Sequence, residues 1–217
     1  MLGRRLHRAP AIAVLIGAQL LAACGGDQLD QTDQGPVGGG GDVVLRTDGV
    51  AIVDLGADPQ SVIGTLTSRF GDPDRDSGWI DPTSAVYGSC PGPELRAVGW
   101  GSFFALFVGA GSGDQGSRWL TWTYGFDHAI ALGGVDPREL RLRTDAGIGL
   151  GSTRRDLRSA HGDQLRETGD DLIDVWSFEI DDGAEARLRG ALSGPGPDAR
   201  VVFIERVPGC GDIQEDL

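Results

Sequence analysis

The feature that most constrains this chain is an internal repeat. Leu45-Arg46-Thr47-Asp48-Gly49 returns in the second half of the chain as Leu142-Arg143-Thr144-Asp145-Ala146-Gly147. A repeated segment indicates that one supersecondary unit occurs twice and that the two copies bury their apolar faces together. We therefore expect repeat 1 at residues 43–132 and repeat 2 at residues 133–217, combined in one globular domain.

Each copy of the motif is followed by helix signals and then by strand-like segments. Asp58 and Thr153 are good N-caps, and Gly71 and Gly162 suit the residue that ends a helix. Three apolar segments follow in each half, separated by Gly-rich or Asp-Gly turns. They are residues 95–100, 103–108, 119–124, 173–180, 186–192 and 200–207. The prediction is an α+β fold in which two tandem helix-plus-antiparallel-meander repeats form one continuous antiparallel sheet with helices on one face.

The N-terminal leader has the anatomy of an export signal. Basic residues at Arg4-Arg5-Leu6-His7-Arg8 precede an apolar run from Ala11 to Ala23, which is shorter than the roughly 20 residues that span a bilayer. Leu21-Ala22-Ala23-Cys24 resembles the lipobox of bacterial lipoproteins. This resemblance implies that residues 1–23 are removed and that a diacylglyceryl group on Cys24 anchors the chain. Two alternatives stay open: an uncleaved anchor, and simple secretion in which Cys24 is incidental.

Charge narrows the range of partners. Residues 24–42 are rich in Gly, Asp and Gln and predict a flexible, lipid-anchored linker. Without the three leader arginines, 16 basic residues stand against 32 acidic ones, a formal charge of −16. Such a charge disfavours nucleic acid and anionic lipid headgroups. The lipid on Cys24 would then be the membrane contact, and an envelope protein is a possible partner.

The remaining cysteines predict a disulfide. With Cys24 used as the anchor, Cys90 and Cys210 are an even pair in an oxidising compartment. A bond between them would close a loop of roughly 120 residues, to which the chain-entropy account assigns about 4 to 5 kcal/mol.

The whole arrangement resembles the tandem-repeat fold of the β-lactamase inhibitory protein and of the small outer-membrane assembly lipoproteins that carry one such unit. The motifs that carry the resemblance are Leu55-Gly56 with Phe70-Gly71-Asp72-Pro73, Leu150-Gly151 with His161-Gly162, Val98-Gly99-Trp100-Gly101, the strand at residues 119–124, and Gly209-Cys210-Gly211. The acylated N terminus and the single cysteine pair depart from the inhibitor. The resemblance therefore implies a fold and leaves open whether β-lactamase is bound.

No catalytic signature is present in the sequence. The chain has no nucleophile elbow, and its lack of lysine excludes a Walker loop. His128 lies in the predicted connection without a nucleophile nearby, and His161 suits a cap at a helix C-terminus. The acidic string from Asp72 to Gly78 begins like a calcium loop but lacks the required glycine and glutamate, so it is interpreted as a turn. We predict no enzymatic activity, no cofactor and no metal site.

Aromatic residues are the candidate contact residues for a partner. Trp100, Trp119, Trp122, Tyr124 and Trp176 all lie in predicted strands. Strict alternation along a strand would send Trp119 and Trp122 to opposite faces, leaving at least one on an open sheet surface. Core packing is the alternative role for these side chains.

These features together predict a lipid-anchored protein on the extracytoplasmic face of the bacterial cell membrane. We expect a non-enzymatic protein- or peptide-binding or assembly module of the cell envelope. The alternative is a lipoprotein that senses a small ligand or a divalent cation.

Overall fold

A computed structural model describes residues 43–84, 92–111, 113–125, 140–170, 175–181, 183 and 186–207. All of these residues belong to one compact unit that spans residues 40–217. Among them, no helix has the length and apolar character needed to cross a membrane.

The described residues form mostly β-structure, with twelve strands in two sheets. The strands are β1 (Val44–Arg46), β2 (Gly49–Val50), β3 (Val53–Asp54), β4 (Arg75–Asp76), β5 (Glu94–Trp100), β6 (Phe103–Gly109), β7 (Arg118–Gly125), β8 (Arg143–Thr144), β9 (Leu165–Asp170), β10 (Val175–Ile180), β11 (Arg187–Leu192) and β12 (Val201–Val207). The large sheet has the order β4-β5-β6-β7-β12-β11-β10-β9, and the small sheet has the order β3-β2-β1-β8. Only the β1–β8 pair is parallel among the described strands.

The described residues also form two short α-helices. Helix α1 (Pro59–Phe70) begins at Asp58, whose side chain accepts a hydrogen bond from the Ser61 amide at 2.9 Å. Helix α2 (Arg154–His161) begins at Thr153, which forms a reciprocal capping box with Asp156. Gly71 and Gly162 end the two helices, and short 3₁₀ turns occupy Pro82–Ser84 and Gly162–Gln164. The predicted N-caps and stop residues are confirmed.

The predicted fold class is wrong. We expected helix-plus-meander repeats in a single sheet with helices on one face, whereas the structure is mostly β, with sheets of four and eight strands. The repeated motif explains the difference, because its two copies supply β1 and β8 and pair with each other by backbone hydrogen bonds. Pairing between segments so far apart leaves no local signal in the sequence.

The main core lies between the large sheet and the elements packed on it. Apolar side chains from α1, α2 and the small sheet, such as Leu66, Leu157 and Leu45, join sheet residues such as Phe103 and Ile204 in one buried cluster. A second cluster on β5 and β6 contains Leu95, Phe104, Leu106 and Val108. The first half of the large sheet therefore has buried apolar side chains on both faces, as the pairing register requires.

Candidate functional site

The two copies of the repeated motif lie side by side. Leu45 of β1 is the register partner of Thr144 of β8, and the Arg46 Nε lies 3.2 Å from an Asp145 carboxylate oxygen. Beyond β1 the chain reverses at Gly49, where a Cβ atom would collide with the Val53 carbonyl oxygen. Glycine is therefore required for this turn, and the turn fixes where the end of the first copy lies.

The large sheet holds the first copy in place through two long side chains. Trp122 Nε1 of β7 donates a hydrogen bond to the Arg46 carbonyl oxygen at 3.0 Å. Arg206 Nε of β12 donates to the Thr47 carbonyl oxygen at 3.2 Å. Burial lowers the pKa of Arg206 below its ordinary value. Because both acceptors are backbone oxygens of the first copy, these bonds set its distance from the large sheet.

A cleft of about 470 Å³ opens where the two copies meet the large sheet. Its walls are the two motif turns and the C-terminal end of α2, which contributes Ala160 and His161, followed by Gln164. Its floor is apolar and consists of Leu45, Ile180 and Leu188. We call this feature the repeat cleft. Its volume falls within the range of small-molecule and side-chain binding sites.

Charged groups of the repeat cleft lie at its mouth. Arg46 and Asp145 form an ion pair, and their side chains are 44% and 66% exposed. The Asp48 carboxylate makes no hydrogen bond or ion pair to the described part of the chain. Asp48 is therefore a solvated negative charge beside a neutralised pair.

His161 is the titratable group in the wall of the cleft. It is half-buried, and burial lowers its pKa, so the imidazole is neutral at pH 7. Its Nε2 atom is buried and has no hydrogen-bond partner in the described structure. The expected role as a cationic helix cap is not supported, since desolvation disfavours the charged ring. An unpaired buried nitrogen instead leaves a hydrogen-bonding group for a ligand.

Four of the five predicted partner-binding aromatics lie in the core. Trp100, Trp119, Trp122 and Tyr124 are each no more than 3% exposed. Their polar atoms are satisfied internally: the three indole nitrogens donate to the carbonyl oxygens of Gly71, Thr121 and Arg46, and the Tyr124 hydroxyl donates to that of Leu140. These contacts favour the packing interpretation for these four side chains.

The expectation that Trp119 and Trp122 point to opposite faces is wrong because β7 contains a bulge. Trp119 pairs with Phe107 and Trp122 pairs with Ala105, with a register shift between Leu106 and Phe107. Phe107 and Ala105 are two residues apart, so both tryptophans share their face. Both rings consequently join the main core.

Trp176 is the predicted aromatic that remains partly exposed. Its ring lies against Gly169 of β9, where a Cβ atom would collide with the indole, and the Arg154 guanidinium lies 5.1 Å from the ring centroid. Arg154 is 4% exposed, lies 3.2 Å from a Glu167 carboxylate oxygen and donates to the Pro195 carbonyl oxygen. Trp176 is thus part of a packed contact between α2 and the sheet.

The acidic string near the end of α1 serves local structure. Asp74 accepts a hydrogen bond from the Gly101 amide, and Asp76 accepts one from the Gly78 amide. Asp76 also forms a bidentate pair with Arg96 at 2.6 and 2.9 Å, which lowers the pKa of Asp76. No group of three or more potential metal ligands occurs in the described ranges.

Some predicted residues lie outside the described part of the chain. They are Cys24, Cys90, Cys210 and His128. The lipid anchor and the disulfide therefore stay predictions.

Comparisons with known proteins assign no relationship. No family model matches the chain, and no curated protein or solved structure matches it. The resemblance described from the short glycine motifs stays a prediction, and the function has to be argued from the cleft.

Sequence reasoning missed the repeat cleft as a site. Its lining residues are ordinary types, and His161 is the one among them for which the sequence indicates a polar role. The repeat itself was the available signal, because the residues that follow Leu45 and Leu142 form both sides of the cleft mouth.

Proposed function

We propose that this protein is a lipid-anchored binding module on the extracytoplasmic face of the bacterial cell envelope, and that it holds part of a peptide or protein partner in the repeat cleft. The observation that carries the proposal is the cleft of about 470 Å³ formed by both copies of the repeated motif. Its apolar floor and charged mouth provide the two kinds of contact that fix a ligand's position.

The residues that line the cleft support a binding role in preference to catalysis. His161 has no serine or cysteine beside it among the residues that line the cleft, so it has no such nucleophile to activate. Burial of Trp119, Trp122 and Tyr124 favours the repeat cleft over β7 as the contact surface.

The anchoring part of the proposal rests on the leader sequence. A lipid on Cys24 would hold the domain through a linker of about 17 residues with a random-coil reach on the order of 20 to 25 Å. Cys24→Ala should block attachment of the lipid and leave the leader uncleaved, so that the variant accumulates as a larger precursor. A variant of the same size as the unaltered protein would refute anchoring by lipid.

The binding part of the proposal can be tested in intact cells. A photo-crosslinking amino acid placed at Gln164, on the cleft wall, should give a discrete adduct with one envelope component. The same group at the exposed Asp198, which does not line the cleft, is the matched control. Absence of an adduct at Gln164, or the same adduct at both positions, would contradict a binding role for the cleft.

The volume of the cleft also favours a second candidate function, a sensor of a small organic ligand. That function predicts saturable thermal stabilisation by a free metabolite without any crosslinked partner. The divalent-cation form of this alternative has no ligand cluster within the described ranges.

A further inference from the structure

We propose that the repeat cleft recognises a long basic side chain, arginine or lysine, presented by the partner peptide. This inference rests on the proposed function and names the chemistry that its site accepts. It follows from the layout of the cleft, which is apolar at its floor and negative at its mouth.

The floor fits the methylene stem of such a side chain. Leu45, Ile180 and Leu188 are fixed in the main core, so the floor is preformed and does not have to be ordered on binding. Arginine and lysine place their apolar stems along such surfaces while the charged end stays near water. A short polar side chain would leave this floor uncovered.

The mouth fits the charged end. Asp48 offers a carboxylate with no partner in the described structure, whereas Arg46 is already paired with Asp145. The positive charge of Arg206 lies behind the first motif copy, where its Nε is bonded to the Thr47 carbonyl oxygen. The free charge at the mouth is therefore negative, and it attracts a cation and repels an acidic group.

The wall adds a neutral hydrogen-bonding group. His161 lines the cleft, and its Nε2 is buried without a partner in the described structure. A neutral imidazole accepts a hydrogen bond from a guanidinium or ammonium group without adding a repulsive charge. The formal charge of −16 that remains after removal of the leader attracts basic partners at longer range as well.

The test uses the mature, lipidated protein in a nonionic detergent and three short probes. The probes are acetyl-glycyl-arginyl-glycinamide, the same peptide with citrulline, which keeps the shape but lacks the charge, and the same peptide with glutamate. Titration followed by saturation-transfer NMR measures their affinities. We expect the arginine peptide to bind about fivefold or more tightly than the citrulline peptide, and the glutamate peptide to be weakest.

Two cleft variants should change this affinity in opposite directions. Asp48→Asn removes the unpaired carboxylate and should weaken arginine-peptide binding by about fivefold. Arg46→Gln frees the Asp145 carboxylate and should strengthen it by about twofold or more. Asp198→Asn removes an exposed carboxylate that does not line the cleft and should leave binding unchanged. Thermal unfolding checks that all three variants are folded.

The possible outcomes distinguish failure of this inference, that the ligand is a basic side chain, from failure of the proposed binding function. Equal binding of arginine and citrulline peptides, or weakening by both Asp48→Asn and Arg46→Gln, overturns recognition of a basic side chain. If the arginine peptide fails while the Gln164 adduct still forms in cells, this inference is wrong and the binding function stands. If the arginine peptide does not bind and the Gln164 adduct does not form, both this inference and the proposed binding function are wrong.

Discussion

The two halves of the large sheet have the same strand arrangement but bury their residues differently. All seven residues of β6, Phe103–Gly109, are buried, whereas exposed or half-buried residues alternate with buried ones along β11, Arg187–Leu192. Strand β6 is a continuous apolar run, whereas in β11 the buried Leu188, Gly190 and Leu192 alternate with Arg187, Arg189 and Ala191. Both patterns occur in antiparallel sheets. A continuous apolar run is typical of a strand that is covered on both faces, and alternation is typical of a strand that is covered on one face.

Charged side chains occupy the far face of the second half. Arg166, Glu179, Arg189 and Glu205 are aligned across the strands by the pairing register, and Arg187 lies on the same face. Ion pairs join Arg187 to Glu179 and Arg189 to Glu205. We call this set the charge ladder. We infer that apolar side chains buried on both faces stabilise the first half, whereas the second half depends on the apolar side chains of its single core face.

The largest expected effect tests this difference with two phenylalanines on the same face. Phe104 of β6 is 1% exposed, and Phe203 of β12 is half-buried. Phe104→Ala should reduce the free energy of unfolding by about 3 to 5 kcal/mol, and Phe203→Ala by less than about 2 kcal/mol. Urea unfolding measures both losses. Equal losses would show that the far face of the second half is as well packed as that of the first.

The second prediction concerns the buried charge of the second half. Arg154→Met removes one of the two arginines paired with Glu167 and the cation over Trp176. Because Arg158 still pairs with Glu167, the cost should be about 1 to 3 kcal/mol. Arg155→Met is the matched control, because Arg155 is 72% exposed and its pair with Asp198 is solvated. We expect that control to change stability by less than about 0.5 kcal/mol. Comparable losses in both variants would place the stabilising contacts of α2 elsewhere.

The charge ladder itself should contribute little. Arg189→Ala breaks the pair with Glu205, whose two hydrogen bonds measure 2.7 and 2.9 Å. The loss should be about 0.5 to 1 kcal/mol and should shrink at 1 M salt, because exposed pairs are screened. A larger loss that is independent of salt would mean that the far face of the second half is effectively buried.

The smallest effect depends on pH. Burial holds the pKa of His161 below its ordinary value of 6.5, so the folded state binds fewer protons than the unfolded chain. This contribution to stability is complete above about pH 7 and falls as the pH drops below 6.5. His161→Gln should therefore flatten the slope of stability between pH 7 and 5. Identical slopes in the two proteins would contradict burial of this ring, since His128 is present in both.

Local features of the chain were predictable from residue chemistry. Asp58 and Thr153 begin the helices because their side chains accept hydrogen bonds from free backbone amides, and Gly71 and Gly162 end them. The six predicted strand segments correspond closely to β5, β6, β7, β10, β11 and β12. Strand β9 was missed, since Leu165–Asp170 is polar and lies at a sheet edge.

Features that depend on distant partners were not predictable. The bulge in β7 changes which face Trp119 occupies, and it becomes visible only when β7 is paired with β6. The small sheet requires β1 to pair with β8, and no local sequence pattern predicts that the two motif copies form a parallel pair of strands. The candidate site has the same origin, because the repeat cleft exists only after this pairing.

The sequence by itself determined the repeat, the helix ends, most strands of the large sheet and the acidic charge, because each depends on residues close together in the chain. Tertiary structure alone decided that the repeated motif builds a second sheet, that the tryptophans of β7 are buried together, and that Asp48 and His161 border one cleft. Those outcomes depend on hydrogen bonds and packing between distant segments, such as the bond from Trp122 to the Arg46 carbonyl oxygen. Local propensity contains no information about such partners.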